Sequence, residues 1–181
     1  MIEVEVKARA QKDTQEKIAA LGAELLKVEN HHDFYFNSPW RDFKVSDEAL
    51  RIRIKEEGAR LTYKGPKLDL ETKSRLEWTV KIDDPRQMEQ ILLSLGFELS
   101  AEVCKRRTKY SLGDIVIALD DVEGLGSFLE AEAVGDVDWE MQRKKVLSLL
   151  AGLGLGESIR NSYLELLEEK KRSHAIHAQI D

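Results

Sequence analysis

The chain has 181 residues, enough for one domain with a real core, and no composition shift marks a second. Lys and Arg number 28 against 34 Asp and Glu, a formal net charge of −6, which argues against a protein that coats nucleic acid and makes any phosphate binding local. Cys104 is the single cysteine, which excludes an internal disulfide and a multi-cysteine zinc site. No apolar run approaches the roughly 20 residues of a membrane span, and Met1-Ile2-Glu3-Val4-Glu5 lacks the character of a signal peptide, so a reducing cytoplasm is the expected location.

Alternation begins at once, with Ile2, Val4, Val6 and Ala8 on one face of a strand and Glu3, Glu5, Lys7 and Arg9 on the other. Asp13 and Glu16 resemble an N-cap pair, and Leu21-Gly22 a stop, so a short helix is expected over about 13–22. A long strand follows from Glu24 to Phe36. Beyond the turn-rich Asn37-Ser38-Pro39, Ala49–Glu56 and Ala59–Lys64 read as a hairpin across Glu57-Gly58, and Lys73–Ile82 as a fifth strand. Asp84-Pro85 opens a second helix ending near Leu95-Gly96, and strands at about 97–110, 114–121 and 127–134 bring the count to eight. Val137–Leu150 and Ser158–Lys171 read as C-terminal helices separated by Gly152, Gly154 and Gly156, with 173–181 a frayed tail.

The two halves look related. Leu21-Gly22-Ala23-Glu24-Leu25 recurs as Leu95-Gly96-Phe97-Glu98-Leu99, and the same offset carries Glu3 onto Glu77, Lys7 onto Lys81 and Glu5 onto Thr79. Each half is strand, helix and three strands, and two such halves can close one antiparallel barrel, with Glu3 and Glu77 both facing inward.

Strand after strand carries ionisable residues on one face: Arg51, Arg53 and Lys55; Lys64; Arg75 and Glu77; Lys105, Arg107 and Lys109; then Asp120, Glu130 and Glu132. Any one such face reads as a solvated sheet surface. Together they read differently, because the helices supply apolar stripes outside a barrel and so turn the charged faces inward. Charges so enclosed cost several kcal/mol each unless paired, hydrated or bound to ions. A polyphosphate with metal ions satisfies both signs, since Arg forks match phosphate oxygens and paired carboxylates suit Mg²⁺.

Glu3-x-Glu5-x-Lys7 resembles the ExExK signature of the CYTH family, the triphosphate tunnel superfamily that unites class IV adenylyl cyclases with thiamine and inorganic triphosphatases. Ala49-Leu50-Arg51-Ile52-Arg53, Thr62-Tyr63-Lys64-Gly65-Pro66-Lys67, Arg75-Leu76-Glu77, Lys105-Arg106-Arg107 and the run from Leu119 to Glu132 follow in the family's order. The resemblance covers about residues 1–170, and Asp33-Phe34-Tyr35-Phe36 and Asp42-Phe43 are similar to the cyclase branch. It implies an α+β fold over 1–172, an eight-stranded antiparallel β-barrel tunnel with helices packed outside. Residue by residue, it implies Lys7, Arg51, Arg53, Lys64, Arg75, Lys105 and Arg107 on phosphates. Glu3, Glu5, Asp120, Glu130 and Glu132 would hold Mg²⁺ or Mn²⁺, with Glu5, Lys7 and Arg107 catalytic; Arg106 points the other way.

The implied activity is cyclisation of ATP to cyclic AMP and pyrophosphate. A triphosphatase, in which water attacks the terminal phosphorus, uses the same residues, and a non-catalytic polyphosphate sensor could dispense with the carboxylates. The expected partner is a small triphosphate, with no nucleic acid and no membrane, and an oligomer is left open. His174-x-x-His177 falls in the expected tail, His31 and His32 point opposite ways, and the Gly152–Gly156 run lacks the Lys-Ser/Thr of a phosphate loop. Tyr163, after Ser162, matches a Ser-Tyr of cyclase-like members but reads first as core.

Overall fold

Strands with one apolar and one charged face must bury the first and enclose or solvate the second, and this chain does so by closing its sheet. A computed structural model describes residues 2–68, 75–134 and 138–177, with side chains over 4–68, 75–134 and 138–173. The order is β1 (Ile2–Arg9), α1 (Thr14–Ala20), β2 (Glu24–Asn37), β3 (Ala49–Lys55), β4 (Gly58–Lys67) and β5 (Arg75–Ile82). Then come α2 (Pro85–Ser94), β6 (Glu98–Leu112), β7 (Ile115–Val122), β8 (Gly126–Ala133), α3 (Trp139–Gly152) and α4 (Tyr163–His177).

All neighbours are antiparallel, in the closed order β1-β5-β4-β3-β2-β6-β7-β8. The seam is uneven. β1 pairs with β8 from Val4 opposite Ala133 to Arg9 opposite Phe128, but with β5 only at Ile2 opposite Leu76 and Glu3 opposite Arg75.

The outward apolar faces are covered as the patterning requires. Val4, Val6 and Ala8 of β1, Ile115 and Ile117 of β7, and Leu129 and Ala131 of β8 pack with Ile18 of α1 and Val146 and Leu150 of α3. Phe36 and Ile52 pack with Leu92 of α2. Each fully buried aliphatic side chain in these layers contributes about 1.5–3 kcal/mol. Across from them, Tyr35, Val103, Val122 and Phe128 meet Tyr163 at the start of α4.

The repeated Leu-Gly marks the same device twice. Gly22 and Gly96 take φ of 78° and 86°, the left-handed region that favours glycine, and end α1 and α2 with paired Schellman bonds. Ala23 N–H donates to the Ile18 carbonyl and Gly22 N–H to that of Ala19; Phe97 and Gly96 do the same to Leu92 and Leu93. Exchanging β1 with β5, β2 with β6, β3 with β7 and β4 with β8 returns the same closed strand order read backwards. The two halves are topological equivalents.

The C-terminal region departs from expectation in three places. α3 runs through Gly152 and stops at Gly154, whose φ is 66°. α4 starts at Tyr163 and not at Ser158, because the preceding chain is engaged elsewhere: Ile159 N–H donates to the Lys7 carbonyl at 2.6 Å. Ser162 and Glu165 form a capping box, Ser162 N–H donating to Glu165 Oε2 at 2.6 Å and Glu165 N–H to Ser162 Oγ at 3.2 Å. Finally, α4 continues through Ser173 to His177, into the segment expected to fray, with the Ser173 hydroxyl donating to the Glu169 carbonyl at 3.0 Å. Lys73, Ser74, Val137 and the end from 178 lie outside the described residues.

Gly22→Ala and Gly96→Ala are each expected to cost about 1–2 kcal/mol in urea unfolding, because a Cβ is forced into the left-handed region. The cost is backbone strain in both, since the added Cβ of Gly96 would make only an ordinary 3.4 Å contact with Pro39 Cγ and that of Gly22 meets nothing within 4 Å.

Candidate functional site

Alternation and closure together put the charged faces around one cavity of about 500 Å³. Arg51, Arg53, Lys64, Arg75, Lys105 and Arg107 line it, as do Glu5, Glu77, Glu130 and Glu132. Glu77 faces inward as the duplication requires, and Thr79, the counterpart of Glu5, lines the cavity and is 2.9 Å from Thr62 through the two hydroxyls.

Two of the expected residues are placed differently. Lys7 is wholly buried and is not among the lining residues: its ammonium donates to the Asn161 carbonyl and lies 4.1 Å from the centroid of the Tyr163 ring. It points inward as alternation demands, but the chain at 159–163 covers that end of the barrel. Asp120, expected as a metal ligand, is also absent from the lining and is saturated by donors. Arg107 Nε reaches Oδ1 at 2.6 Å, and Arg107 Nη2, Lys105 Nζ and the Tyr163 hydroxyl reach Oδ2 at 2.5, 2.8 and 2.8 Å. A carboxylate so engaged anchors cations. The Glu3 side chain lies outside those described.

The cations do not stand bare. Asp33, fully buried, grips Arg53 in a fork with both contacts at 2.6 Å and lies 3.8 Å from Arg51. Lys64 pairs with Glu77, and Arg107 also with Glu130. Arg75 Nη1 lies 3.5 Å from the carbonyl of Asp47, whose carboxylate accepts the Lys67 N–H at 2.8 Å. Arg51 keeps a buried Nε without a hydrogen-bond partner among the described residues. The sequence reading left Asp33 and Asp47 out of the site. Asp33 was reachable by extending alternation along β2, where His31, Asp33 and Tyr35 share the inward face; Asp47 sits in a loop with φ of 55°, and nothing in the local pattern points to it.

The electrostatics divide the cavity. Burial alone would raise Asp33, but Arg53 and Arg51 hold its carboxyl well below the usual range. Burial, with Arg107 beside it, pulls the Lys105 ammonium down to about 7 against the opposing Asp120. On the opposite wall, burial and then Glu5 push Glu132 up, because these two carboxylates face each other across β1 and β8. Among the described residues no three His, Cys, Asp or Glu side chains are disposed to hold a metal unaided. Glu5 and Glu132, with Glu130 beside them, fit a hard cation such as Mg²⁺ that keeps waters and takes its remaining oxygens from a phosphate, because such an ion relieves the repulsion that raises Glu132.

The CYTH domain profile matches residues 1–163. A protein of Methanocaldococcus jannaschii with a provisional adenylate cyclase name is 41% identical over 172 residues, 92% of this chain and 98% of that one. Adenylate cyclase CyaB of Aeromonas hydrophila is 29% identical over 160 residues, covering 84% of this chain and 80% of that protein. Among solved structures, the PH1819 protein of Pyrococcus horikoshii aligns with a TM-score of 0.87 at 41% identity, covering 93% of this chain and 99% of that one. A Hippeastrum protein, provisionally an adenylyl cyclase and described as having a dominant triphosphatase activity, shares the fold at TM-score 0.68 and 20% identity, over 93% of this chain and 96% of its own. No helix among the described residues is long and apolar enough to cross a membrane.

Asp120→Asn is expected to lower stability by about 3–5 kcal/mol, since it leaves Lys105 and Arg107 buried without their shared counter-charge. Arg107 and Lys105 hold the Asp120 carboxyl below its ordinary value against burial, so its contribution is complete above about pH 4 and lost as the pH falls further. Denaturant unfolding of wild type and variant at pH 7 and pH 3 checks both statements: the gap between them narrows at the lower pH. An undiminished stability at pH 7 would refute the anchoring role.

Proposed function

We propose that this chain, which belongs to the CYTH family, is an adenylyl cyclase of the class IV kind that converts ATP to cyclic AMP and pyrophosphate. The observation that supports the reading is one cavity lined both by Arg51, Lys64 and Arg107 of β3, β4 and β6 and by Glu5, Glu130 and Glu132 of β1 and β8. A triphosphate is a chain of negative oxygens, and Arg and Lys bind it by charge-assisted hydrogen bonds worth about 1.5–3 kcal/mol each. Arg51, with its unspent Nε, would grip the chain first; Lys64, Arg107 and Arg53 exchange part of their hold on Glu77, Glu130 and Asp33 for phosphate oxygens. Arg75 and Lys105 extend the same set.

Cyclisation needs the ribose 3′-oxygen to form a bond to the α-phosphorus while the bond from that phosphorus to the bridging oxygen breaks, with release of the hydroxyl proton. Mg²⁺ or Mn²⁺ held by Glu5 and Glu132, with Glu130 adjacent, would supply charge stabilisation at the attacking and leaving oxygens. The protein's part is to hold the chain in the cavity and to neutralise the pyrophosphate as it leaves, which is the electrostatic share of phosphoryl-transfer catalysis. Lys7, inward-facing but covered by the Asn161 carbonyl and the Tyr163 ring, would act at the covered end of the barrel instead of in direct phosphate contact.

Hydrolysis of the terminal phosphate is the second reading, favoured by the triphosphatase activity described for the Hippeastrum protein of the same fold. It uses the same grip on the chain, with water as the nucleophile. A sensor without catalysis has no use for the acidic wall, and Glu5, Glu130 and Glu132 all line the cavity.

Incubation with ATP and Mg²⁺ is expected to yield cyclic AMP and pyrophosphate in equal amounts; release of inorganic phosphate with ADP instead would transfer the assignment to the triphosphatase. Glu132→Gln is expected to lower turnover by at least about a hundredfold, the loss of roughly 3 kcal/mol of transition-state stabilisation. The same variant is expected to leave the metal-free protein as stable as wild type or more so, because it removes the repulsion between Glu132 and Glu5. Near-normal turnover in Glu132→Gln would sink the metal assignment.

A further inference from the structure

β1 and β5 are antiparallel neighbours, so the operation that exchanges the two halves also exchanges the ends of the barrel. The two ends are finished differently. Lys7 on β1 lies opposite Glu130 of β8, and the Asn161 carbonyl and the Tyr163 ring close over it. Its counterpart Lys81 on β5 lies opposite Arg60 of β4, and Arg60 lies opposite Arg53 of β3. Three cations thus stand abreast on one face of neighbouring strands, and like charges directly opposite each other are destabilising. Asp33 takes up Arg53, but neither Arg60 nor Lys81 has an ion-pair partner among the described residues, and both are exposed.

The same end carries Lys55, where β3 turns into β4, and Lys109; these two and Arg60 line the cavity. It lies away from the loop at 38–48 and from α4, since β3 runs from Ala49 beside that loop to Lys55. Glu29 is the carboxylate here, 3.1 Å from Lys55, 2.5 Å from Lys27 and 3.9 Å from Lys109, while Glu57 is shared between Lys27 and Lys55. Positive charge remains in surplus: burial and then Arg107, with Lys55 and Lys27 adding, pull Lys109 below its ordinary value, and Glu29 does not offset them.

We propose that this open end is a second anion subsite, formed by Arg60, Lys81, Lys55 and Lys109, which takes the phosphates of a linear polyphosphate beyond the third. The proposal rests on the reading of the central tunnel as a triphosphate site. Arg60 lies four residues from Lys64 along β4, about 13 Å at 3.3 Å per residue, so a chain centred on Arg51 and Lys64 comes nearer to it with each phosphate added. The subsite adds a grip on long chains and leaves the binding of short ones unchanged.

Calorimetric titration of the full chain in EDTA at fixed salt, with inorganic triphosphate and with linear inorganic hexaphosphate, tests this without turnover. Hexaphosphate is expected to bind at least about tenfold more tightly, the effect of one further charge-assisted contact. The double variant Arg60→Gln, Lys81→Gln is expected to lose that gain, keep its triphosphate affinity within about twofold, and melt no lower than wild type. Equal binding of the two chains by wild type, a gain that survives in the double variant, or an equal loss for both ligands would overturn the subsite. Wild-type protein that binds hexaphosphate and triphosphate alike weakly, with no measurable heat, would overturn the triphosphate reading itself and the subsite with it.

Discussion

A charge enclosed in a closed barrel must be matched by an opposite charge, and the contact on which most of the interior depends is the one at Asp120. Its two oxygens receive Arg107, Lys105 and the Tyr163 hydroxyl, and so join β6, β7 and α4 at a single buried point. Removing it would leave two cations desolvated without compensation, which is far more costly than losing a surface pair. The same contact orients Arg107 towards Glu130 and the cavity, so the stability of the interior and the aim of a candidate phosphate ligand have one cause. It also explains why Asp120 serves the cations first: three donors converge on Oδ2, and Arg107 Nε takes Oδ1.

The internal pairing sets the terms on which any substrate enters. Arg53 with Asp33, Lys64 with Glu77, and Arg107 with Glu130 are held ready by carboxylates that a triphosphate must partly displace. This keeps the cations in fixed positions before an anion arrives, which is the condition for preorganised electrostatic binding. The acidic wall behaves oppositely. Glu132 is pushed up by burial and by Glu5, with Lys109 and Arg107 acting against them, so positive charge falls short at that carboxylate pair. A triphosphate that arrived with its own divalent cation would answer that shortfall.

The pseudo-symmetry of the chain gives the tunnel its direction. Two equivalent halves would make a barrel with two equivalent ends, but Thr79 stands where Glu5 stands in the first half, and Arg60 faces Lys81 where Glu130 faces Lys7. The carboxylates therefore gather on β1 and β8, and the C-terminal chain covers the Lys7 end alone. The pseudo-symmetric scaffold thus has carboxylates gathered on one side, a covered end and a cationic end, and its two halves differ at a few inward positions.

The eight strands, their order along the chain, the two Leu-Gly helix stops and the inward set from Glu5 to Glu132 were legible in the sequence, because period-two alternation and glycine-terminated helices are local signals that survive without tertiary context. The start of α4 was read too early, at Ser158 instead of Tyr163, because apolar stripes do not show where the Ser162 to Glu165 capping box sets the helix. What alternation could not say is which inward residues end in the cavity and which end under another element. Lys7 and Asp120 have the right face and the wrong surroundings, because the chain at 159–163 returns across the barrel from far away in sequence. Asp33 and Asp47 take up cations through pairings set by strand register and a loop. Which charge meets which is decided only when the barrel closes, since burial and the distance between groups on different strands, and not residue type, fix whether a carboxylate anchors a cation or remains to hold a metal.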